Sequence, residues 1–94
     1  MLTDKEVENK LIAFICHNFM VEPDEFNYEE SLVDQGVIDS IGLVEISAFM
    51  EEEFGIKVAE KDMDRNNFGS VKKMVAFIVR QSAQGNLTNR ESAA

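Results

Sequence analysis

The chain has 94 residues, 45% of them apolar, which suits one domain with a single modest core and is too apolar for general disorder. Eighteen acids against nine Lys and Arg give a formal net charge of −9, which excludes nucleic acid or an anionic membrane as the main partner because phosphates would repel it. One cysteine permits no intrachain disulfide, no apolar run reaches membrane-span length, and Met1 to Glu6 is too polar for a signal peptide; a cytoplasmic monomer with no membrane span is expected.

Thr3 and Glu6 have the S/T-x-x-E spacing of a capping box. Val7, Leu11, Phe14, Ile15 and Phe19 then recur at helical spacing, so a first helix is expected from near Asp4 to near Asn18. Residues 22–38 keep no period and include Pro23, Gly36 and many acids. They read as a long ordered loop pinned by Phe26, Leu32, Val37 and Ile38. A second helix should start at Asp39 or Ser40 and end near Phe54, with Gly55 as its stop. Ile56 to Val58 form a short extended link, and residues 62–68 have room for one short helical turn. Ser70 caps the last helix, where Val71, Met74, Val75 and Ile78 keep the i, i+3, i+4, i+7 pattern. From Gln84 onward the residues are small or polar without a period, so a disordered, dispensable tail is expected over 84–94 beside a domain of 1–83. The expected fold class is all-α: a small bundle of three long helices and one short one, with the long loop between helices 1 and 2.

Charge is unevenly placed. Residues 22–64 carry fourteen acids against Lys57 and Lys61, whereas residues 65–94 carry one acid and five bases. On a helical wheel, Leu43, Ile46, Met50 and Phe54 of the second helix face the core. Ile41, Glu45, Ala48 and Glu52 fall on the opposite side, flanked by Val44 and Glu51. Apolar residues among carboxylates suit transient docking, because the carboxylates steer a basic partner and the apolar residues supply contact. The competing explanation is that Ile41 and Val44 only cap the end of the core.

Ser40 stands at the helix start, after Asp39. A group on its hydroxyl would project from the helix N-terminus, where free N–H groups and the dipole favour a phosphate. Taken alone, a serine there is most often just a cap. A serine hydroxyl is a poor nucleophile without an adjacent base, and the single histidine, His17, lies on helix 1 away from its apolar stripe. Cys16 and His17 are neighbours in sequence and point apart on a helix, so no catalytic residue is expected. Asp62, Asp64 and Asn66 have the spacing of an EF-hand start. Lys73 stands where the bidentate Glu belongs and Asn67 replaces the turn glycine, so no metal site is expected either.

Gly36-Val37-Ile38-Asp39-Ser40-Ile41 followed by Val44-Glu45 resembles the acyl and peptidyl carrier proteins. The resemblance covers roughly residues 5–82, including the acidic second helix ending in Glu52-Glu53-Phe54-Gly55 and the final helix after Phe68-Gly69-Ser70-Val71. It implies that Ser40 carries a 4′-phosphopantetheine arm from coenzyme A, whose thiol holds an acyl or aminoacyl group as a thioester. It implies that Asp39 helps dock the phosphopantetheinyl transferase and its metal-bound coenzyme A. Further implied partners are an acyl- or aminoacyl-activating ligase and a downstream acyltransferase or synthase. Met63-Asp64-Arg65-Asn66-Asn67-Phe68, followed by Ser70 and Lys73-Met74-Val75, is similar to the D-alanyl carrier proteins and to stand-alone carriers of specialised pathways. Gly42 departs from the pattern, since carriers usually have a larger, often polar residue there. It costs about 1 kcal/mol of helix propensity relative to Ala and would allow close approach of a partner or the arm. The alternatives are an unmodified acidic helical adaptor, or a degenerate carrier-like subunit, docking basic partners through helix 2.

Overall fold

In the computed structural model, which describes residues 2–85, Thr3 opens α1 (Asp4–Phe19) through a complete capping box. The Glu6 amide donates to Thr3 Oγ1 at 3.2 Å, and the Thr3 amide donates back to Glu6 Oε1 at 3.4 Å. Val7, Leu11 and Ile15 are buried, and Phe14 and Phe19 pack half-buried beside them, as the apolar stripe requires. The helix ends at Phe19, one residue later than expected, and its C-cap is Met20 in a left-handed conformation.

The loop after α1 is ordered by side chains turned inward. Phe26, Leu32 and Ile38 are buried and Val37 is packed against the core. Gln35 clasps the loop: the Asn27 amide donates to Gln35 Oε1 at 2.7 Å, and Gln35 Nε2 donates to the carbonyls of Asn27 and Glu30. Residues 31–37 close in a Schellman arrangement, with Val37 N–H on the Leu32 carbonyl and Gly36 N–H on the Val33 carbonyl. That closure needs a positive φ at Gly36, which is +78°, a conformation that costs glycine nothing.

α2 (Ser40–Phe54) ends at Gly55, whose left-handed conformation returns its N–H to the Glu51 carbonyl. The single turn expected over 62–68 is two short pieces: a 3-10 turn, Glu60–Asp62, and α3 (Arg65–Phe68), capped by Asp64 through the Asn67 amide. Asp62 also caps, accepting from the Ala59 amide, so both carboxylates of the EF-hand-like spacing serve backbone ends. Ser70 caps α4 (Val71–Ala83). α4 is the central helix, packed by α1, α2 and α3. It therefore buries a wider face than one stripe: Phe77 is buried together with the four residues the period names. The architecture is an all-α bundle of three long helices and short α3. Of the tail expected over 84–94, residues 86–94 lie outside the described residues, and Gln84 still caps α4. No helix among the described residues is long and apolar enough to cross a membrane.

Candidate functional site at the start of α2

The N-cap of α2 is Asp39, not Ser40. Asp39 Oδ1 accepts from the Gly42 amide at 2.9 Å, and its carbonyl accepts from the Leu43 amide at 3.2 Å. The aspartate thus has a structural task that the resemblance did not imply. It also leaves Ser40 without one. The Ser40 side chain is exposed, and its hydroxyl has no hydrogen-bond partner among the described residues. The plain capping explanation of that serine therefore fails on geometry. No base reaches the hydroxyl, and His17 lies exposed on α1 beside Phe14 and Phe49.

Both flanks of the serine are anchored. Two residues before it, Ile38 is buried; two residues after it, Gly42 is buried too. A Cβ at Gly42 would stand 2.9 Å from Ile38 Cβ and 3.2 Å from Phe19 Cε1. The glycine thus lets the chain's own loop approach α2. The expectation that it makes room for a partner or the arm is corrected: that side of the helix is already filled.

The residues expected on the outer face of α2 do stand there. Ile41 is 68% exposed and Val44 56%, which is incompatible with their merely capping the core. Glu45, Ala48 and Glu52 are exposed, and neither Glu45 nor Glu52 has an ion pair or hydrogen bond among the described residues. Glu51 differs from them. It is half-buried, and its Oε2 accepts from the Val58 amide at 2.9 Å, tying the link after α2 back to the helix.

An open groove of about 250 Å³ meets α2 at Leu43. Val33 and Asp34 of the loop form one wall, Leu43 of α2 another, and Met63, Arg65 and Phe68 the third. Leu43 is one turn along α2 from Ser40. Arg65 reaches across the rim to Asp34 at 3.9 Å. Sequence reasoning missed Val33, an exposed apolar residue next to buried Leu32; alternation of inward and outward residues within the loop was the only available signal.

Two thiol and phenol groups near the loop titrate high. Burial first, then the charges of Glu22 and Glu25, push the Cys16 thiol above its ordinary range. Burial likewise raises the Tyr28 phenol, with smaller contributions from Cys16, Glu8 and Asp24. Neither group lies at the start of α2. Among the described residues, no group of three or more His, Cys, Asp or Glu is placed to hold a metal ion.

The start of α2 thus offers an exposed, unengaged hydroxyl at a helix N-terminus. Residues 9–78 match the family described as "Phosphopantetheine attachment site". The chain is also 35% identical over 83 residues to an acyl carrier protein of Rhodococcus erythropolis (strain PR4 / NBRC 100887), an alignment covering 88% of this chain and 89% of that protein. The chain belongs to the phosphopantetheine-attachment family, and it is a carrier protein. Members of that family hold 4′-phosphopantetheine covalently, and carriers of this kind meet a modifying transferase and the enzymes that use the cargo. The start of α2 fits such a group: the hydroxyl is free, and the amides of Ser40 and Ile41 have no acceptor among the described residues.

Proposed function

We propose that Ser40 is the attachment point of the arm and that the protein is a discrete carrier of an acyl or aminoacyl group. The observation that carries this is the division of labour at the helix start: Asp39 takes the cap, and the Ser40 hydroxyl has no structural role to lose. When bound, the arm supplies a thiol that holds the cargo as a thioester. The chain's own residues orient and present it. Unpaired amides and the positive end of the α2 dipole favour the phosphodiester beside Ser40. Asp39 holds the first turn in place for the transferase, which must itself supply the base that activates the hydroxyl. Ile41, Val44, Glu45, Ala48 and Glu52 form the face that partner enzymes dock on. Glu51, committed to Val58, supports that face from its edge.

The groove between Val33, Leu43 and Met63 would receive the part of the cargo nearest the thioester. It is partly open to solvent. The D-R-x-x-F stretch at its wall inclines the assignment towards an aminoacyl or specialised-pathway cargo, with Asp64 capping α3 and Phe68 entering the core. A cytoplasmic monomer made of residues 1–83 accounts for the whole of this.

The test is the intact mass of the protein after incubation with coenzyme A, magnesium and a broad-specificity phosphopantetheinyl transferase, with Ser40→Ala in parallel. One added phosphopantetheine on the wild type and none on the variant is the expected outcome. No gain on a folded wild type, with a second transferase also tried, favours an unmodified acidic adaptor or a degenerate subunit.

A further inference from the structure

The α2 docking face does not stop at α2. On its α1 side it runs into an aromatic seam. Phe14 of α1 and Phe49 of α2 stack with ring centroids 4.2 Å apart and an interplanar angle of 20°. Phe19 meets Phe14 edge-on, and Phe54 meets Phe49 edge-on, so four rings from two helices form one continuous row. All four are only half-buried. The central stack stands as a ridge between two shallow depressions of about 310 and 290 Å³, both bordered by Asn18. The floor of one is Ala13 on α1, with Lys10 and Glu53 at its rim. The floor of the other is Ala48 on α2, with Glu45 and Glu52 at its rim. Two stacked rings held at a surface, with an exposed alanine on each side, make a notched apolar surface rather than a core that happens to end there.

The charge around the seam says what covers it. Its one lysine, Lys10, is neutralised by Glu53 at 3.0 Å. Glu45 and Glu52 have no ion pair among the described residues, and α2 contains no basic residue at all. The surface is therefore apolar along its crest and uncompensated negative along its α2 edge. We infer that the Phe14–Phe49 seam extends the α2 docking face proposed above onto α1, and, resting on that reading, that it takes an amphipathic helix of a partner protein whose apolar side chains sit on the aromatic crest while its lysines and arginines meet Glu45 and Glu52. The apolar notches supply affinity and orientation, and the carboxylates supply the steering. The surface exists whether or not Ser40 carries an arm, so its test is independent of the carrier function.

The experiment uses the isotope-labelled full chain, unmodified, titrated with a short amphipathic peptide of leucine and lysine only. Oligolysine, which carries charge without apolar anchors, is titrated separately. With the leucine–lysine peptide, saturable amide shifts should concentrate on Ala13, Phe14, Asn18, Ala48 and Phe49. With oligolysine the shifts should be weaker and spread over the acidic loop as well. Ala13→Gln fills the α1 notch, which lies outside the α2 face and so tests the seam by itself, and Ala48→Gln fills the notch shared with that face; both positions are exposed. Each should weaken the leucine–lysine peptide by about fivefold or more, the loss expected when an interface anchor is denied its pocket, with oligolysine unaffected. Equal shifts from both peptides, shifts centred on the acidic loop, or unchanged affinity in both glutamine variants would overturn the inference. The mass test at Ser40 reads a different atom and a different reaction, so failure of one leaves the other standing.

Discussion

Gly42→Ala is the sharpest probe of how the carrier presents Ser40. Helix propensity alone says the substitution stabilises, by about 1 kcal/mol at an interior helix position. The structure says the opposite. The new methyl would lie 2.9 Å from Ile38 Cβ, 3.2 Å from Phe19 Cε1 and 3.3 Å from Ile38 Cγ2. Ile38 Cβ is one bond from the backbone and cannot swing aside, so relief requires the loop itself to move. Overpacking of this kind costs about 1–3 kcal/mol, which outweighs the propensity gain and leaves a net loss of about 1 kcal/mol. For a domain of this size that lowers the melting temperature by about 4–8 °C. Because Ile38 adjoins Asp39, the shift also displaces the cap, and arm transfer to Ser40 should slow. Urea and thermal unfolding read the stability, and the rate of mass gain reads the transfer. In a Phe19→Leu background, where one of the close contacts is relieved, the penalty should shrink. A Gly42→Ala variant as stable as the wild type, or more so, would show that propensity decides and that the close approach of Ile38 is not what requires glycine.

The remaining predictions concern the caps, the docking face and the thiol. Asp39→Ala should cost about 1 kcal/mol by urea denaturation, whereas Ser40→Ala should stay within about 0.5 kcal/mol of the wild type; equal losses would mean that the hydroxyl is the cap. Gly69→Ala should be markedly destabilising, because a Cβ there collides with the Arg65 carbonyl oxygen, and an unperturbed melting curve would contradict the tight turn between α3 and α4. Glu45→Lys and Glu52→Lys should leave stability within about 0.5 kcal/mol but slow association with the transferase, the more so at low salt; a salt-independent rate would count against steering. The Cys16 thiol, raised by burial and by Glu22 and Glu25, should alkylate more slowly than a free cysteine until the pH is well above the usual thiol range. Its folded form holds the proton longer than the unfolded form, so its contribution to stability is intact below the unfolded thiol's pKa and declines as pH rises past it. Glu25→Gln should bring the alkylation profile down, and an unchanged profile would leave burial and Glu22 as the causes.

The amino-acid sequence by itself determined the three long helices and most of their ends. The Thr3–Glu6 box, Gly55 and Ser70 act within a single turn, and the apolar stripes of α1 and α4 repeat at the helix period, so no distant contact was needed to read them. It also placed Ser40 at a helix start, and the outward side of α2 followed from the wheel. What only the tertiary structure decided involves groups far apart in the chain. Whether Ser40 or Asp39 is the cap depends on a one-residue choice of helix start, which buried Ile38 settles by anchoring the loop. Gly42 looked like a free opening until Ile38 and Phe19 were found against it. That Glu51 also ties the Val58 amide back to the helix was legible only in the structure. Phe77 became core because three helices surround α4, and Phe14 met Phe49 because the loop of twenty residues brings their two helices into side-chain contact. Helical periodicity is a property of each segment and is written in its residue order. Which faces meet depends on how the segments pack after that loop has closed, and no spacing within either segment encodes it.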